Sequence, residues 1–437
     1  MTTRTLLLLL LAFLGFMIYV EWQSEVANEA PTPVEPLPGQ RAEVEPQLDD
    51  PDLPELPEAA PRAADAGPDD RAEMPEPVAR SGERIEVQTD LLIAEIDPVG
   101  GTLTSLRLKE FPVAVDQPDV PIELLGEELT ELHIAQAGLI DTDRRAPNHT
   151  TSYAYEQAFY ELPAGAERLT VPLTWRDEAG LEVVQSWTFH RDDYVIEHRF
   201  EILNRGQTAW EGSRYLRLQR TLSSDGNGMT FTNPERISYN GAAVYSEEDK
   251  FQKLKFDDFD EQQYRNTITG GWAGMVQHYF LSAWIPPADE AHQYTTRLID
   301  RQTPNRYAVT LTSTPVSVSP GGEARFTSRL YAGPKQQNRL DAIAPGLSLT
   351  VDYGIFTVFS KPLFWLLDHI QDFVKNWGVA IILLTLLIKL AFYKLTQAQF
   401  RSMGKLRKLQ PRIQQLKERY GDDRQKFGQA MMDIYKK

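Results

Sequence analysis

The sequence predicts a membrane protein in which two transmembrane helices flank a large extracytoplasmic antiparallel β-sandwich, with an interfacial helix and a cytoplasmic helical hairpin at the C-terminal end. Three observations predict it. Two apolar runs, Thr5 to Val20 and Trp377 to Tyr393, interrupt a polar chain of 437 residues. Between them, about 260 residues alternate apolar with polar positions in the period of half-buried strands. The charge is also divided: the chain carries −17 in total, but residues 389–437 hold 13 Lys or Arg against 4 Asp or Glu, which leaves −26 on residues 1–388. Basic flanks stay on the cytoplasmic side. Residues 21–376 are therefore expected outside the cytoplasm.

Residues 4–22 read as the first transmembrane helix, an anchor that follows Arg4 and contains the unbroken run Leu6 to Leu11. A removed signal peptide wants small residues just before its cleavage point. Glu21-Trp22-Gln23 follow the run instead, so the segment reads as an uncleaved anchor with its N-terminus in the cytoplasm. Residues 23–84 are rich in Pro, Ala and acids, as in Pro51-Asp-Leu-Pro-Glu-Leu-Pro-Glu. Such a composition buries little and repels itself, which predicts a disordered, extended tether.

Residues 85–345 read as the sandwich. Tyr194, Ile196, Phe200 and Ile202 alternate with polar positions, and Pro98-Val-Gly-Gly, Asp225-Gly-Asn-Gly and Pro320-Gly-Gly are turn signals. Residues 360–375 then form an amphipathic helix, with Ser360 as its N-cap and Pro362 in its first turn. Leu363, Leu366, Leu367, Ile370, Phe373 and Val374 share one face of it, which suits packing on the soluble domain or lying at the membrane surface, and the adjoining crossing favours the surface. Residues 377–393 are the second transmembrane helix. At roughly 25 Å they are slightly short of a ~30 Å hydrocarbon core.

Residues 395–437 make the cytoplasmic helical hairpin. Leu406, Leu409, Ile413, Leu416 and Tyr420 form an apolar seam, Pro411 is expected to bend or break the first helix, and Gly421-Asp422 mark the turn to the second. Its basic surface suits anionic lipid headgroups, ribosomal RNA or a nascent chain, and it also matches a plain orientation signal.

Composition excludes several classes of chemistry. The chain has no cysteine, and its seven histidines never fall at the i, i+4 spacing of a zinc helix. No nucleophile elbow or phosphate loop occurs: Gly226-Asn-Gly228 lacks the third glycine and the strand–helix setting. Asp225 and Asn227 read as turn residues rather than calcium ligands. His198 and His278 would be the acid and base of a carbohydrate-active site if there were one, although single strand histidines are usually structural. Neither a metal nor a cofactor is expected, and nor is enzymatic activity.

Lys389 is the most informative residue. A lysine near the middle of a crossing helix costs ~2.5–3.5 kcal/mol on insertion scales. Two explanations stand open. It lies four residues before Tyr393 and can snorkel to the surface; or it faces a wet cavity in a helix bundle, with Thr385 one turn earlier on the same side. In the second case a hydrated cationic cavity would draw in polar parts of an incoming chain.

Several segments together resemble the YidC/Oxa/Alb membrane protein insertase family. They are Gly270-Gly-Trp-Ala-Gly-Met-Val-Gln-His-Tyr-Phe-Leu-Ser-Ala-Trp-Ile-Pro, Val351-Asp-Tyr-Gly, Asn376-Trp-Gly-Val-Ala-Ile-Ile, Lys394-Leu-Thr-Gln-Ala-Gln-Phe-Arg-Ser-Met, and Leu409-Gln-Pro-Arg-Ile followed by Tyr420-Gly-Asp-Asp. The resemblance implies that the outer domain is a β-supersandwich similar in fold to sugar mutarotases but without their chemistry. It also implies a hydrophilic membrane groove with a positive residue, usually arginine, at the position of Lys389, and a polar groove position at Thr385. Lysine keeps the charge and loses the bidentate fork. The partners implied are nascent membrane proteins, the Sec translocon, the ribosome and membrane lipids, in a multi-pass protein of the bacterial inner membrane.

Family members continue through further membrane helices that wall the groove. If residues 1–437 were the whole product, an inactive fragment would be expected. The different-class alternative is a membrane-tethered periplasmic domain that binds carbohydrate or protein.

Overall fold

A computed structural model describes residues 62–63, 83–142, 146–221, 239–260, 263–300, 305–351, 357–420 and 432. The first apolar run, most of the tether, the turn around Asp225 and Asn227, and the second arm of the hairpin lie outside the described residues. The chain divides into two units: a β-domain within residues 36–352 and a helical unit that includes residues 353–437.

The β-domain is built from two sheets. The larger has the order Arg265–Thr269, Ala291–Asp300, Arg306–Ser313, Trp210–Thr221, His133–Asp141, Thr102–Ala114, Leu92–Asp97, Ile85–Gln88, Phe159–Glu161. The second has the order Lys250–Leu254, Gly241–Ser246, Trp272–Val276, Phe280–Ile285, Glu323–Pro334, Val195–Asn204, Leu181–His190, Arg168–Arg176, Ala154–Tyr155. Most pairings are antiparallel. Among the described residues two run parallel, against the antiparallel expectation: Ile85–Gln88 with Phe159–Glu161, and Arg62–Ala63 with Val316–Val318. The second of these ties a point of the expected tether to the sheet, a docking that composition gives no hint of.

Alternation along the strands decides which side chains enter the core. In Val195–Asn204, Ile196, Phe200 and Ile202 are buried, and Glu197, Arg199 and Glu201 on the opposite face are half-exposed. Ile196 stands opposite Phe189 on one neighbour and Leu330 on the other. Phe200 likewise lies between Gln185 and Phe326. Three tryptophans are fully buried: Trp187 and Trp284 sit where the sheets face each other, and Trp272 lies on the opposite face of the second sheet under the segment at Pro345; each uses its ring N–H on a carbonyl, of Gly101 (3.0 Å), Arg217 (3.1 Å) and Pro345 (3.0 Å) respectively. A buried indole keeps its polar handle satisfied in this way.

The turn signal Pro98-Val-Gly-Gly has a packing reason. Gly100 and Gly101 have φ of 78° and 58°, and a Cβ on Gly101 would stand 2.3 Å from Gln185 Oε1. Only glycine lets this turn reach the other sheet closely enough to accept from both Gln185 and Trp187.

Helix α1, Gln337–Ile343, follows the last strand. It buries Leu340, and the turn Leu347–Thr350 after it buries Leu347, so the domain core extends past the final strand.

Candidate functional site

The helical unit contains three described helices: α2, Thr357–Val374; α3, Trp377–Ala391; and α4, Tyr393–Tyr420. Helix α2 starts earlier than expected, so Ser360 lies within it and is not its N-cap. Its apolar side chains are divided. Phe364, Leu367 and Val374 are half-buried, whereas Leu363, Trp365 and Phe373 remain exposed, Phe373 at 90%. His369 sits on the exposed side with Nδ1 2.9 Å from the Trp365 carbonyl.

Two residues make the corner between α2 and α3. Lys375 takes a positive φ of 52° and its N–H reaches the Gln371 carbonyl at 2.6 Å. Asn376 then caps α3: its side-chain oxygen accepts from the Val379 N–H at 3.1 Å, satisfying one of the helix's orphan donors.

Helix α3 packs on α2 along one stripe. Ala380 is buried and Leu384 and Ile388 are half-buried, at i, i+4 and i+8, while the rest of the helix is exposed. Thr385 and Lys389 fall outside that stripe, one turn apart on an open side. Thr385 Oγ1 donates back to the Ile381 carbonyl at 2.7 Å. This bond uses the hydroxyl hydrogen within the helix and leaves the lone pairs outward. Lys389 makes no hydrogen bond or ion pair with the described residues.

Helix α3 is shorter than the span expected from sequence. It ends at Ala391, Phe392 is its C-cap with φ −90° and ψ 5°, and α4 begins at Tyr393 after a 61° bend. Its 15 residues fall short of the roughly 20 that a crossing helix needs. Among the described residues no single helix is long and apolar enough to cross a membrane; Trp377–Ala391 and Tyr393–Gly404 meet that test only together, as a bent pair. Lys389 therefore sits just before an elbow rather than in the middle of a straight rod. The apolar run alone does not reveal this, because Leu390-Ala-Phe-Tyr continues it without a helix breaker.

Pro411 does not break α4, which runs through it to Tyr420. The second arm of the hairpin lies outside the described residues.

His198 and His278, the two histidines singled out from sequence, both lie in the β-domain. His198 is 1% exposed and boxed in by Trp187, Phe200 and Trp284 at ring distances of 4.5, 4.9 and 5.6 Å. Burial, with Arg214 nearby, pushes its pKa well below the ordinary histidine range. His278 stacks edge-on against Tyr279 at 4.1 Å. His133 bonds Ser282 Oγ at 2.8 Å with both side chains buried, so this pair has no access to a substrate.

Buried Arg214 reaches the Thr327 carbonyl (2.6 Å) and His292 Nε2 (2.8 Å), bridging the sheets as a structural cation. Among the described residues no group of three or more His, Asp or Glu gathers as a metal site. Sequence reading missed a cavity of about 880 Å³ in this domain, bordered by the segments 245–249 and 266–271 and by the outer face of the second sheet. No motif marks it, because its walls come from strands far apart in the chain.

A β-domain of two sheets followed by a helical unit, whose bent pair α3–α4 is long and apolar enough together to meet the test for a membrane span, is the architecture of a membrane-associated protein with a large appended β-domain. Residues 84–366 match the family described as YidC periplasmic domain, and residues 369–437 match the family described as 60Kd inner membrane protein. The chain belongs to the YidC membrane protein insertase family.

A relative from Alkalilimnicola ehrlichii, named membrane protein insertase YidC, is 46% identical over 356 residues, covering 81% of this chain and 62% of the relative. One of the same name from Azotobacter vinelandii is 37% identical over 441 residues, covering 99% of this chain and 76% of the relative. The chain thus spans between three-fifths and about three-quarters of those relatives' length. Among solved structures, a galactose mutarotase-like protein from Lactobacillus casei is similar with a TM-score of 0.40 at 11% identity, covering 57% of this chain and 99% of that one.

Proposed function

We propose that this chain works in an insertase that assists insertion and folding of inner-membrane proteins through a hydrated, positively charged groove, and that Lys389 and Thr385 belong to that groove. The observation that carries the reading is the open side of α3. A lysine and a threonine lie one turn apart on it, and no described carboxylate neutralises the ammonium. A polar stretch of a client entering the bilayer loses hydration at a cost of several kcal/mol per unsatisfied group. A wet, cationic recess lowers that cost by supplying water, a charge and the Thr385 lone pairs partway across. No bond is made or broken, so the activity is that of a chaperone and not an enzyme.

The arrangement in the membrane follows from charge. Residues 4–22 anchor the chain with its N-terminus in the cytoplasm, residues 85–345 stand in the periplasm, and residues 377–393 return the chain to the cytoplasm, where residues 395–437 form the hairpin. Helix α2, with Trp365 and Phe373 exposed, lies in the membrane interface. Nascent membrane proteins are the clients. The Sec translocon is a partner, and the basic hairpin meets the ribosome and anionic lipids.

The test is insertion of a single-span client with a polar translocated segment, in cells whose only insertase carries Lys389→Ala or Lys389→Arg. Ala should impair insertion about tenfold or more, as expected for losing a charge in a low-dielectric recess, and Arg should preserve it. Unimpaired insertion with Ala rejects the groove charge.

A further inference from the structure

The cavity of the β-domain has a wall made of a strand edge. Residues 266–271 border it without a gap. A strand that presents a face contributes every second residue, so an unbroken run means that the edge itself is presented. Arg265–Thr269 is the terminal strand of the larger sheet, and among the described residues it pairs with Ala291–Asp300 and nothing else.

Hydrogen-bond parity shows which backbone groups stay open. Gly270 N–H bonds the Glu290 carbonyl at 3.0 Å, and Thr296 N–H bonds the Tyr264 carbonyl at 3.0 Å. The even-numbered residues of the strand therefore turn their backbone groups to the neighbour, and Thr267 and Thr269 turn theirs to the cavity. Neither Thr267 nor Thr269 has a backbone partner among the described residues.

The other walls supply side chains. Thr188, Glu197 and Arg329 lie abreast on three adjacent strands of the second sheet, with Arg199 and Thr327 in the next row. From the hairpin joining Gly241–Ser246 to Lys250–Leu254, the exposed residues Glu247, Glu248 and Asp249 line the cavity as well. Four carboxylates thus border it against two guanidinium groups, those of Arg199 and Arg329. Arg199 already faces Glu201 at 3.5 Å, and Glu247 and Glu248 have no ion pair among the described residues.

We propose that this edge and the cavity beside it take an extended polypeptide segment bearing Lys or Arg, as an added β-strand. Open backbone groups recurring every second residue, about 6.7 Å apart, match the repeat of another strand. A polyol has no such repeat. The main-chain bonds give sequence-tolerant affinity and the surplus of carboxylates selects basic side chains. The five-residue edge is about 17 Å long and sets the length of the segment. The site goes beyond the membrane groove and does not depend on it.

The test uses the full chain in lipid nanodiscs and a fluorescent Lys-Val repeat peptide of about eight residues. Binding should protect the Thr267 and Thr269 amides from exchange. N-methylating alternate residues of the peptide on one edge should weaken binding about tenfold or more, since two or more main-chain hydrogen bonds are lost. A Glu-Val repeat should bind about tenfold more weakly than Lys-Val. Thr267→Pro, which removes an outward N–H that the sheet does not use, should weaken binding while the fold persists, and so should Glu247→Lys combined with Glu248→Lys. Equal binding of the N-methylated peptide, unprotected Thr267 and Thr269 amides, equal binding of the Glu-Val repeat, or displacement of the peptide by a neutral oligosaccharide would each overturn the proposal.

Discussion

Acidification from about pH 7.5 to about pH 5 should destabilise the β-domain by about 4 kcal/mol through buried His133 and His292, with buried His198 adding to it in the same direction. His133, His198 and His292 are each no more than 2% exposed. Burial, with Arg220 adding to it, holds His133 down at about 3; burial, with Arg214 adding to it, holds His292 at about 3 and His198 well below its usual value of 6.5.

A folded pKa below the unfolded one means that the unfolded chain binds protons first. Stability is therefore complete above about pH 6.5 and is lost as pH falls from there toward about 3. At about pH 5 the loss for each of His133 and His292 depends almost wholly on the unfolded value, and it amounts to about 2 kcal/mol, or about 1.5 pH units at about 1.36 kcal/mol each. His133→Gln keeps a neutral group against Ser282 and removes one titration, so the pH dependence should shrink by about 2 kcal/mol.

Denaturant unfolding of the full chain at both pH values, followed by fluorescence of the buried Trp187, Trp272 and Trp284, reads this difference. Parallel pH profiles for the variant and the unsubstituted chain, or a His133 titration by NMR near the ordinary histidine range, would refute the reasoning.

Further substitutions test local geometry. Asn376→Ala removes the cap of α3, worth about 1 kcal/mol, and should speed amide exchange at residues 377–380 about fivefold while leaving the β-domain unchanged. Gly271 has a φ of 73°, and a Cβ there would stand 2.2 Å from the Tyr245 carbonyl. Gly271→Ala should therefore lower stability on the order of 3 kcal/mol in denaturant unfolding. Gly165 has a φ of 84° with open space where a Cβ would go, so Gly165→Ala should cost only about 1 kcal/mol in the same measurement.

Legibility from sequence follows the range of the interaction. The strand around Ile196, the glycine turn at Gly100 and Gly101, and the helices before and after Lys375 each rest on neighbours within a few residues, so alternation, turn residues and helical periodicity announce them, although the cap expected at Ser360 is replaced by an earlier start at Thr357. Of the two outcomes expected at Pro411, a bend or a break, the break does not occur, since α4 runs through it. The end of α3 at Ala391 was illegible because the bend interrupts an apolar run that carries no breaker.

The larger omission was the cavity. Thr267 and Glu247 gain meaning only through which strand ends the sheet and which hairpin lies beside it. These are pairings between residues far apart in the chain, and no window of local sequence contains them.

By itself the sequence determined the division of the chain into an apolar N-terminal run, an acidic and β-rich part and a basic end, because hydropathy and charge act residue by residue. It also determined that Lys389 and Thr385 share a helix side, since that needs only the 3.6-residue period. Only the tertiary structure decided that α3 buries Ala380 and leaves that side open, that three histidines are enclosed in the core, and that the edge of Arg265–Thr269 has no strand beside it among the described residues. Burial and pairing are sums over the whole chain, and a side chain's surroundings are fixed by segments that the local pattern does not name.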